Sequence, residues 1–187
     1  MRRRLLVLDL DETLVHCEEH PFPYGAVKTQ FHHMAVRPGI EHLLDTLKDR
    51  FDFALWSNSG LPYIHEVLTE LWKPHWPALV DIFCGADSAP ICENGTARGW
   101  FKDVRKICKR HPQYAKEDIL CLDDKWDVWS RSYGNLITIR AFFGKPDRWL
   151  YSAADYISSI ANEPNFRKLE KRGWHNRFPE QFDSYEP

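Results

Sequence analysis

At two points in this chain a short, wholly apolar run breaks directly into acid. Leu5-Leu6-Val7-Leu8 gives way to Asp9-Leu10-Asp11-Glu12-Thr13, and Ile119-Leu120-Cys121-Leu122 gives way to Asp123-Asp124. Neither run alternates with polar residues, so each is expected to be a strand buried on both faces, as in a parallel sheet covered by helices. Two carboxylates close together at the end of such a strand repel, and in a dry crevice one pKa must rise. If the two strands are parallel neighbours, both acid pairs meet at one edge of the sheet, and a cation is needed to hold them. That edge, beyond the carboxyl ends of the strands, is also where open α/β sheets bind ligands. Taken alone, Asp9 and Asp11 could equally begin a solvated turn with Thr13 capping a helix; the repetition at Asp123 and Asp124 argues against chance.

With 187 residues the chain is long enough for one domain with a full core. The motifs place that domain at residues 1–161, with 162–187 as an extension packed on it or partly mobile. Hydrophobic residues make up 43% and charged residues 28%, ordinary values for a soluble globular protein. No apolar run approaches the length of a bilayer span. Arg2 to Arg4 followed by Leu5 to Leu8 imitates a signal peptide only until Asp9, so an intracellular protein, cytoplasmic or nuclear, is expected. The five cysteines are odd in number and lack C-x-x-C spacing, which excludes a disulfide framework and a zinc finger. A net charge of −2 is not that of an electrostatic nucleic-acid binder, although local basic patches remain open. A monomer or weak dimer without membrane contact is expected.

Between the acid pairs the pattern alternates strand and helix. Val27, Thr29 and Phe31, then Met34 and Val36, suit a β-hairpin flap. The nearby Cys17, His16, His20, His32 and His33 match no zinc-ligand spacing, which favours a polar flap over a metal site. A helix follows from about Ile40 to Lys48, a strand from Phe51 to Trp56, and a helix from Pro62 to about Leu71. Ser57-Asn58-Ser59-Gly60, between that strand and the second helix, either cap the helix or hold a phosphate oxygen. Val80 to Cys84 suits a further strand, and Asn94-Gly95 within 86–100 signals a small hairpin. Lys102 stands near the start of the next helix. A helix from Tyr151 to Ala161 completes the series.

The string DLDETLVH at 9–16, directly after an apolar strand, resembles the DxDxT signature of the haloacid dehalogenase superfamily. Its form is similar to the branch containing the phosphatases of the RNA polymerase II C-terminal domain. Ser57 falls where that family carries its second motif, Lys102 where it carries its third, and LDDKWDVW at 122–129 resembles its fourth. ALWSNSGLPYIHEVL at 54–68 is similar to the members that also carry a ubiquitin-like domain. The resemblance runs from about residue 4 to about 161.

It implies a three-layer α/β fold with a central, mostly parallel sheet, small β-hairpin insertions and no capping domain, since no stretch is long enough for a cap. By the same likeness Asp9 is the nucleophile, Asp11 the general acid and base, and Thr13 the lock on the loop that aims Asp11. Ser57, Asn58 and Lys102 would bind the phosphoryl group, with Lys106 the fallback for Lys102. Magnesium would be held by Asp9, the Asp11 backbone carbonyl and Asp124, with Asp123 close by; which of the last two ligates directly is left open. An uncapped site suits a phosphoprotein or phosphopeptide, rimmed by the 21–37 flap, the 86–100 hairpin, Trp126 and Trp129, although Trp129 could equally be a core residue. The alternatives are a nucleic-acid end tracked by Lys106, Lys109, Arg110 and Lys116, a small phosphorylated metabolite, or a non-catalytic relative. The presence of both Asp9 and Asp11 argues against the last.

Overall fold

In the computed structural model residues 4–93 and 96–178 are described, the side chains of 91–99 excepted. The Asn94-Gly95 turn and the tail beyond Phe178 lie outside them.

The chain opens with β1 (Leu5–Leu8), whose four residues are all buried. It then forms β2 (Val15–Glu18), β3 (Val27–Lys28), β4 (His33–Val36), α1 (Ile40–Leu47), β5 (Asp52–Trp56), α2 (Leu61–Leu71) and β6 (Leu79–Phe83). A hairpin of β7 (Ala89–Glu93) and β8 (Thr96–Phe101) leads to α3 (Val104–Arg110), β9 (Ile119–Asp123), β10 (Leu136–Thr138) and α4 (Trp149–Ile160). Five strands form one sheet in the order β10-β9-β1-β5-β6, and every pairing in it is parallel.

The apolar run in β1 is uninterrupted because both of its faces are covered. Leu6 and Leu8 join one core with Leu43 and Leu47 of α1, Ile64 and Val67 of α2, and Leu150 and Ile157 of α4. Leu5 and Val7 join a second core on the opposite face with Val104 and Ile107 of α3 and Trp129. The sheet is therefore the middle of three layers. Burying each such side chain contributes about 1.5–3 kcal/mol, so β1 is among the most firmly held segments.

The connectivity places the acid pairs together. From β1 the chain moves outward through β5 and β6, then returns to the other side of β1 to lay down β9 and β10. The strand order reverses at β1, and the ends of β1 and β9 form the crevice at that switch point.

The expected flap is a three-stranded antiparallel sheet, β2-β4-β3, instead of a simple hairpin. Its first strand, β2, runs straight out of the Asp9–Thr13 loop and was hidden in the sequence because only Val15 of its four residues is buried. Thr29 and Met34 point inward as expected, whereas Phe31 and Val36 are exposed. Among the described residues no histidine or cysteine of the flap belongs to a metal-like cluster: His16 meets Glu12 and Glu18, and His32 meets Glu66. Of the described residues of the extension, Phe166 and Trp174 are buried in the larger core, and Trp174 stacks on Tyr156 of α4.

Candidate active site

β1 and β9 deliver Asp9 and Asp123 side by side, and β8 delivers Lys102 between them. Lys102 Nζ donates to Asp9 Oδ1 at 2.5 Å and to Asp123 Oδ2 at 2.6 Å. All three side chains are buried. Burial works against the Lys102 ammonium, but the charges of Asp123 and Asp9 outweigh it and hold its pKa above the ordinary lysine value. Burial, followed by the charge of Asp123, pushes Asp9 well above the usual carboxylate range, and Lys102 only partly opposes this. The acids lining the crevice, Asp9, Asp11, Glu12, Asp123 and Asp124, outnumber its lysines, Lys102 and Lys125. Lys102 is not free to be replaced by Lys106, whose Nζ donates to the Asp87 carbonyl away from the site.

Asp124 completes the acid group. Oxygens of Asp9, Asp123 and Asp124 lie within 4.8 Å of one another, the one such cluster among the described residues. Asp124 Oδ1 is buried without a hydrogen-bond partner, although buried polar oxygens are normally paired. Burial, then the Asp123 charge, raises the Asp124 pKa to about 6. Hard oxygen donors, an orphaned oxygen and an excess of negative charge fit a divalent cation with a preference for oxygen ligands.

Across the crevice Asp11 is held by hydroxyls. Its Oδ2 accepts from Ser57 Oγ at 2.9 Å and Ser59 Oγ at 3.0 Å, and its Oδ1 accepts from Tyr63 OH. Burial first, and then the Asp11 charge, keeps the Tyr63 phenol protonated far above its ordinary range. Ser57 is fully buried at the end of β5, and its Oγ also accepts from Ser59 N at 3.0 Å. Asn58 lines the crevice, but its Oδ1 accepts from Ser88 Oγ at 2.6 Å, so that oxygen is already spent. The open space bounded by these residues measures about 370 Å³.

The loop from β1 to β2 is clamped from below. Thr13 is buried and its Oγ1 accepts from Asp124 N at 3.2 Å, tying the first acid pair to the second. Glu12 takes a left-handed φ of 58°, unusual for a side-chain-bearing residue, and turns the backbone so that Glu12 N reaches Val15 O at 2.8 Å. Arg37 lies under this loop with its guanidinium buried. It donates to Thr13 O at 3.1 Å, to Arg140 O at 2.8 Å, and through two nitrogens to Asp147 at 3.0 and 2.8 Å.

Residues 4–167 match the family described as NLI interacting factor-like phosphatase. The chain belongs to that family. Among curated relatives of this phosphatase family it is similar to "Ubiquitin-like domain-containing CTD phosphatase 1" of Danio rerio, 25% identical over 180 residues, covering 92% of this chain and 54% of that protein. The protein of the same name from Drosophila melanogaster is 25% identical over 187 residues, covering 96% of this chain and 56% of its own length. The chain thus spans about half the length of the relatives it matches. Its fold is shared with Fcp1, described as an essential RNA polymerase II CTD phosphatase, at a TM-score of 0.59 and 17% identity, covering 75% of this chain and 42% of that one. A fission yeast Fcp1-R271A structure bound to beryllium fluoride gives a TM-score of 0.57 at 15% identity, covering 94% and 54%. The α/β fold with its parallel sheet is that of this phosphatase family.

Asp9, Asp11, Thr13, Ser57, Asn58, Lys102, Asp123 and Asp124 all gather at this one sheet edge. Trp126 is exposed, but Trp129 is not the rim residue expected. It is 1% exposed, lies beneath the site and donates from Nε1 to Asp123 Oδ2 at 2.7 Å, because the turn at Asp127–Trp129 points its third residue inward. Tyr63 and Arg37 have no role in the sequence reading, which gives Ser59 only as a helix cap or phosphate ligand. Ser59 was visible as a polar residue at a strand end, whereas Tyr63 and Arg37 give no signal of their own.

Proposed function

We propose that this crevice is the active site of a magnesium-dependent phosphomonoester hydrolase that works through an aspartyl-phosphate and acts on phosphoserine or phosphothreonine in proteins. The observation that carries the reading is the pairing of a buried Asp9–Lys102–Asp123 group with an orphaned Asp124 oxygen, directly opposite a carboxyl held by hydroxyls. Magnesium would be held by Asp9, the Asp11 backbone carbonyl and Asp124, with Asp123 beside them orienting Lys102. When bound it supplies the positive charge that lets Asp9 ionise and offsets the phosphoryl oxygens.

An Asp9 carboxylate oxygen bonds to phosphorus as the bond from phosphorus to the leaving oxygen breaks. The leaving oxygen takes the proton of Asp11. In the second step Asp11 takes a proton from water, the resulting oxygen bonds to phosphorus, and the bond from phosphorus to the Asp9 oxygen breaks, releasing phosphate and the free Asp9 carboxylate. Lys102 donates to the phosphoryl oxygens as charge moves onto them, and Ser57 joins it only by turning its one proton away from Asp11, which leaves Ser59 and Tyr63 on that carboxyl. Thr13 keeps the loop carrying Asp11 in register with Asp124.

A protein substrate is supported by the surroundings. A groove of about 770 Å³ between the flap and α2, lined by His20, Phe31, His32 and Glu66 among others, shares Tyr63 with the crevice. Phe31, which lines that groove, is 66% exposed, and Trp126, next in the chain to the crevice-lining Lys125, is 62% exposed, surface that a free metabolite would leave unused. The named action of the curated relatives on a C-terminal domain points the same way. Two of the four residues of the basic cluster suited to a nucleic-acid backbone are spent, with Arg110 paired to Asp81 and Asp87 and Lys106 on the Asp87 carbonyl. We expect kcat/KM for a phosphoserine peptide to exceed that for free phosphoserine by about tenfold or more, with Asp9→Asn abolishing turnover of both. Equal values across peptides, phosphoserine and sugar phosphates would remove the protein-substrate assignment; turnover surviving in Asp9→Asn would remove the mechanism.

A further inference from the structure

We propose that Tyr63, aided by Ser59, is a positioning residue for Asp11, fixing its carboxyl in the orientation from which it delivers a proton to the leaving oxygen. The inference rests on the hydrolase reading above, in which Asp11 exchanges that proton, and adds two residues to which that reading gives no role.

A carboxyl group at the end of an aspartate side chain rotates in a broad, shallow well. Three hydroxyls remove that freedom here: Ser57 and Ser59 take one oxygen, at 2.9 and 3.0 Å, and Tyr63 takes the other. With both oxygens bonded from the α2 side, the plane of the carboxyl is set. Oδ1, which accepts from Tyr63, has a second lone-pair site, so the same bonds persist when that oxygen carries the proton.

Tyr63 is itself held on a rigid support. It lies in the first turn of α2, a helix of 11 residues that opens with Leu61-Pro62. Its ring meets the His32 ring edge-on at 5.1 Å, and His32 Nδ1 lies 3.1 Å from Glu66 Oε1 one turn further along the same helix. Glu66 also accepts from Phe31 N at 2.7 Å and from Thr29 Oγ1, so the flap turn is pinned to α2 by the same carboxylate. Flap, helix and Asp11 are thereby linked through one phenol. A reacting group misplaced by about 1 Å can lose about a hundredfold in rate, so such a support has a kinetic consequence.

Removing the Tyr63 hydroxyl should matter most where proton delivery matters most. A good leaving group departs as an anion with little help, while a poor one needs the proton of Asp11. The test compares kcat/KM of the full chain with magnesium across aryl phosphates of similar size, from p-nitrophenyl phosphate to phenyl phosphate, for wild type, Tyr63→Phe and Ser59→Ala. Tyr63→Phe keeps the ring and its packing. Its expected loss is about tenfold or more on phenyl phosphate and under about threefold on p-nitrophenyl phosphate, within the range of general-acid effects; Ser59→Ala should steepen the series in the same direction. An equal loss on every substrate, no loss, or a larger loss on p-nitrophenyl phosphate would overturn the proposal while wild-type turnover and its abolition by Asp9→Asn still stand. Activity retained by Asp9→Asn would instead bring down the hydrolase reading, and this inference with it.

Discussion

The indole Nε1 of Trp129 donates to Oδ2 of Asp123 at 2.7 Å, from within the core beneath the crevice. That oxygen also receives Lys102 Nζ at 2.6 Å, so the indole sets where the ammonium stands. Trp129→Phe keeps much of the buried ring but leaves a buried carboxylate one donor short, a cost of about 1–3 kcal/mol. We expect urea unfolding to report a loss of that size and kcat/KM on p-nitrophenyl phosphate to fall about tenfold, the kinetic equivalent of about 1.4 kcal/mol.

Asp124 titrates near pH 6 because burial, and then the neighbouring Asp123, disfavours its charge. Its folded pKa lies above the unfolded value of 3.8, so the metal-free folded chain takes up the proton first. The stability tied to this group is full below the unfolded pKa and is lost as pH rises through about 6. Metal-free Asp124→Asn should therefore melt above wild type at pH 8, with the gap shrinking toward pH 4, and excess magnesium should reverse the order by stabilising wild type alone. The magnesium concentration for half-maximal wild-type activity should also climb as pH falls from 7 to 5, since proton and cation compete for one oxygen. Melts with chelator and with magnesium at the two pH values, and a metal titration of activity, check both expectations.

Arg37 joins the β1–β2 loop to the segment before α4 by four donated hydrogen bonds. Replacing it with methionine leaves Asp147 without its charge partner and two carbonyls without the guanidinium donors, a loss of about 3–5 kcal/mol by analogy with broken buried ion pairs. Arg37→Lys should recover only part of this, because a single ammonium cannot reproduce the planar fork. Denaturant titrations of the two variants would show whether that ranking holds.

Gly85 sits against the phosphate-side loop so closely that a Cβ there would lie 2.5 Å from the backbone oxygen of Asn58. Backbone has no easy way to retreat. Gly85→Ala should displace residues 57–59, costing about 1–3 kcal/mol as an overpacking change and lowering activity more than Gly60→Ala, where the nearest neighbour of an added Cβ is 3.7 Å away. Comparing the two alanine variants in the same assay isolates the effect of the close contact.

The acid pairs were legible because an abrupt passage from unbroken apolar residues to carboxylates has few structural meanings, and both ends of the pattern lie within single strands. Lys102 and Ser57 could be placed only through the family likeness, since a lysine before a helix or a serine after a strand is usually ordinary. What stayed hidden depended on direction in space. Tyr63 sits in the first turn of α2, and helical periodicity says nothing of whether a phenol reaches across to another loop. Arg37 precedes Pro38-Gly39 and looked like the end of a flap, yet its partners Asp147 and Arg140 are more than a hundred residues away in sequence. Trp129 was ambiguous because a turn of three residues has too short a period to show which face is inside.

Residues beyond the segment shared with the family close the outer margin of the sheet. Lys171 Nζ reaches the carbonyls of Gly134, Phe166 and Leu169 at 2.8, 2.6 and 3.1 Å, and Trp174 Nε1 bonds to Thr138 O on β10 at 2.8 Å while its ring stacks on Tyr156. A fragment trimmed to the catalytic motifs would keep every reacting group and bare the flank of β10, whose free carbonyls and amides could then template pairing with another chain. Such a fragment would fail by aggregating before it failed as a catalyst.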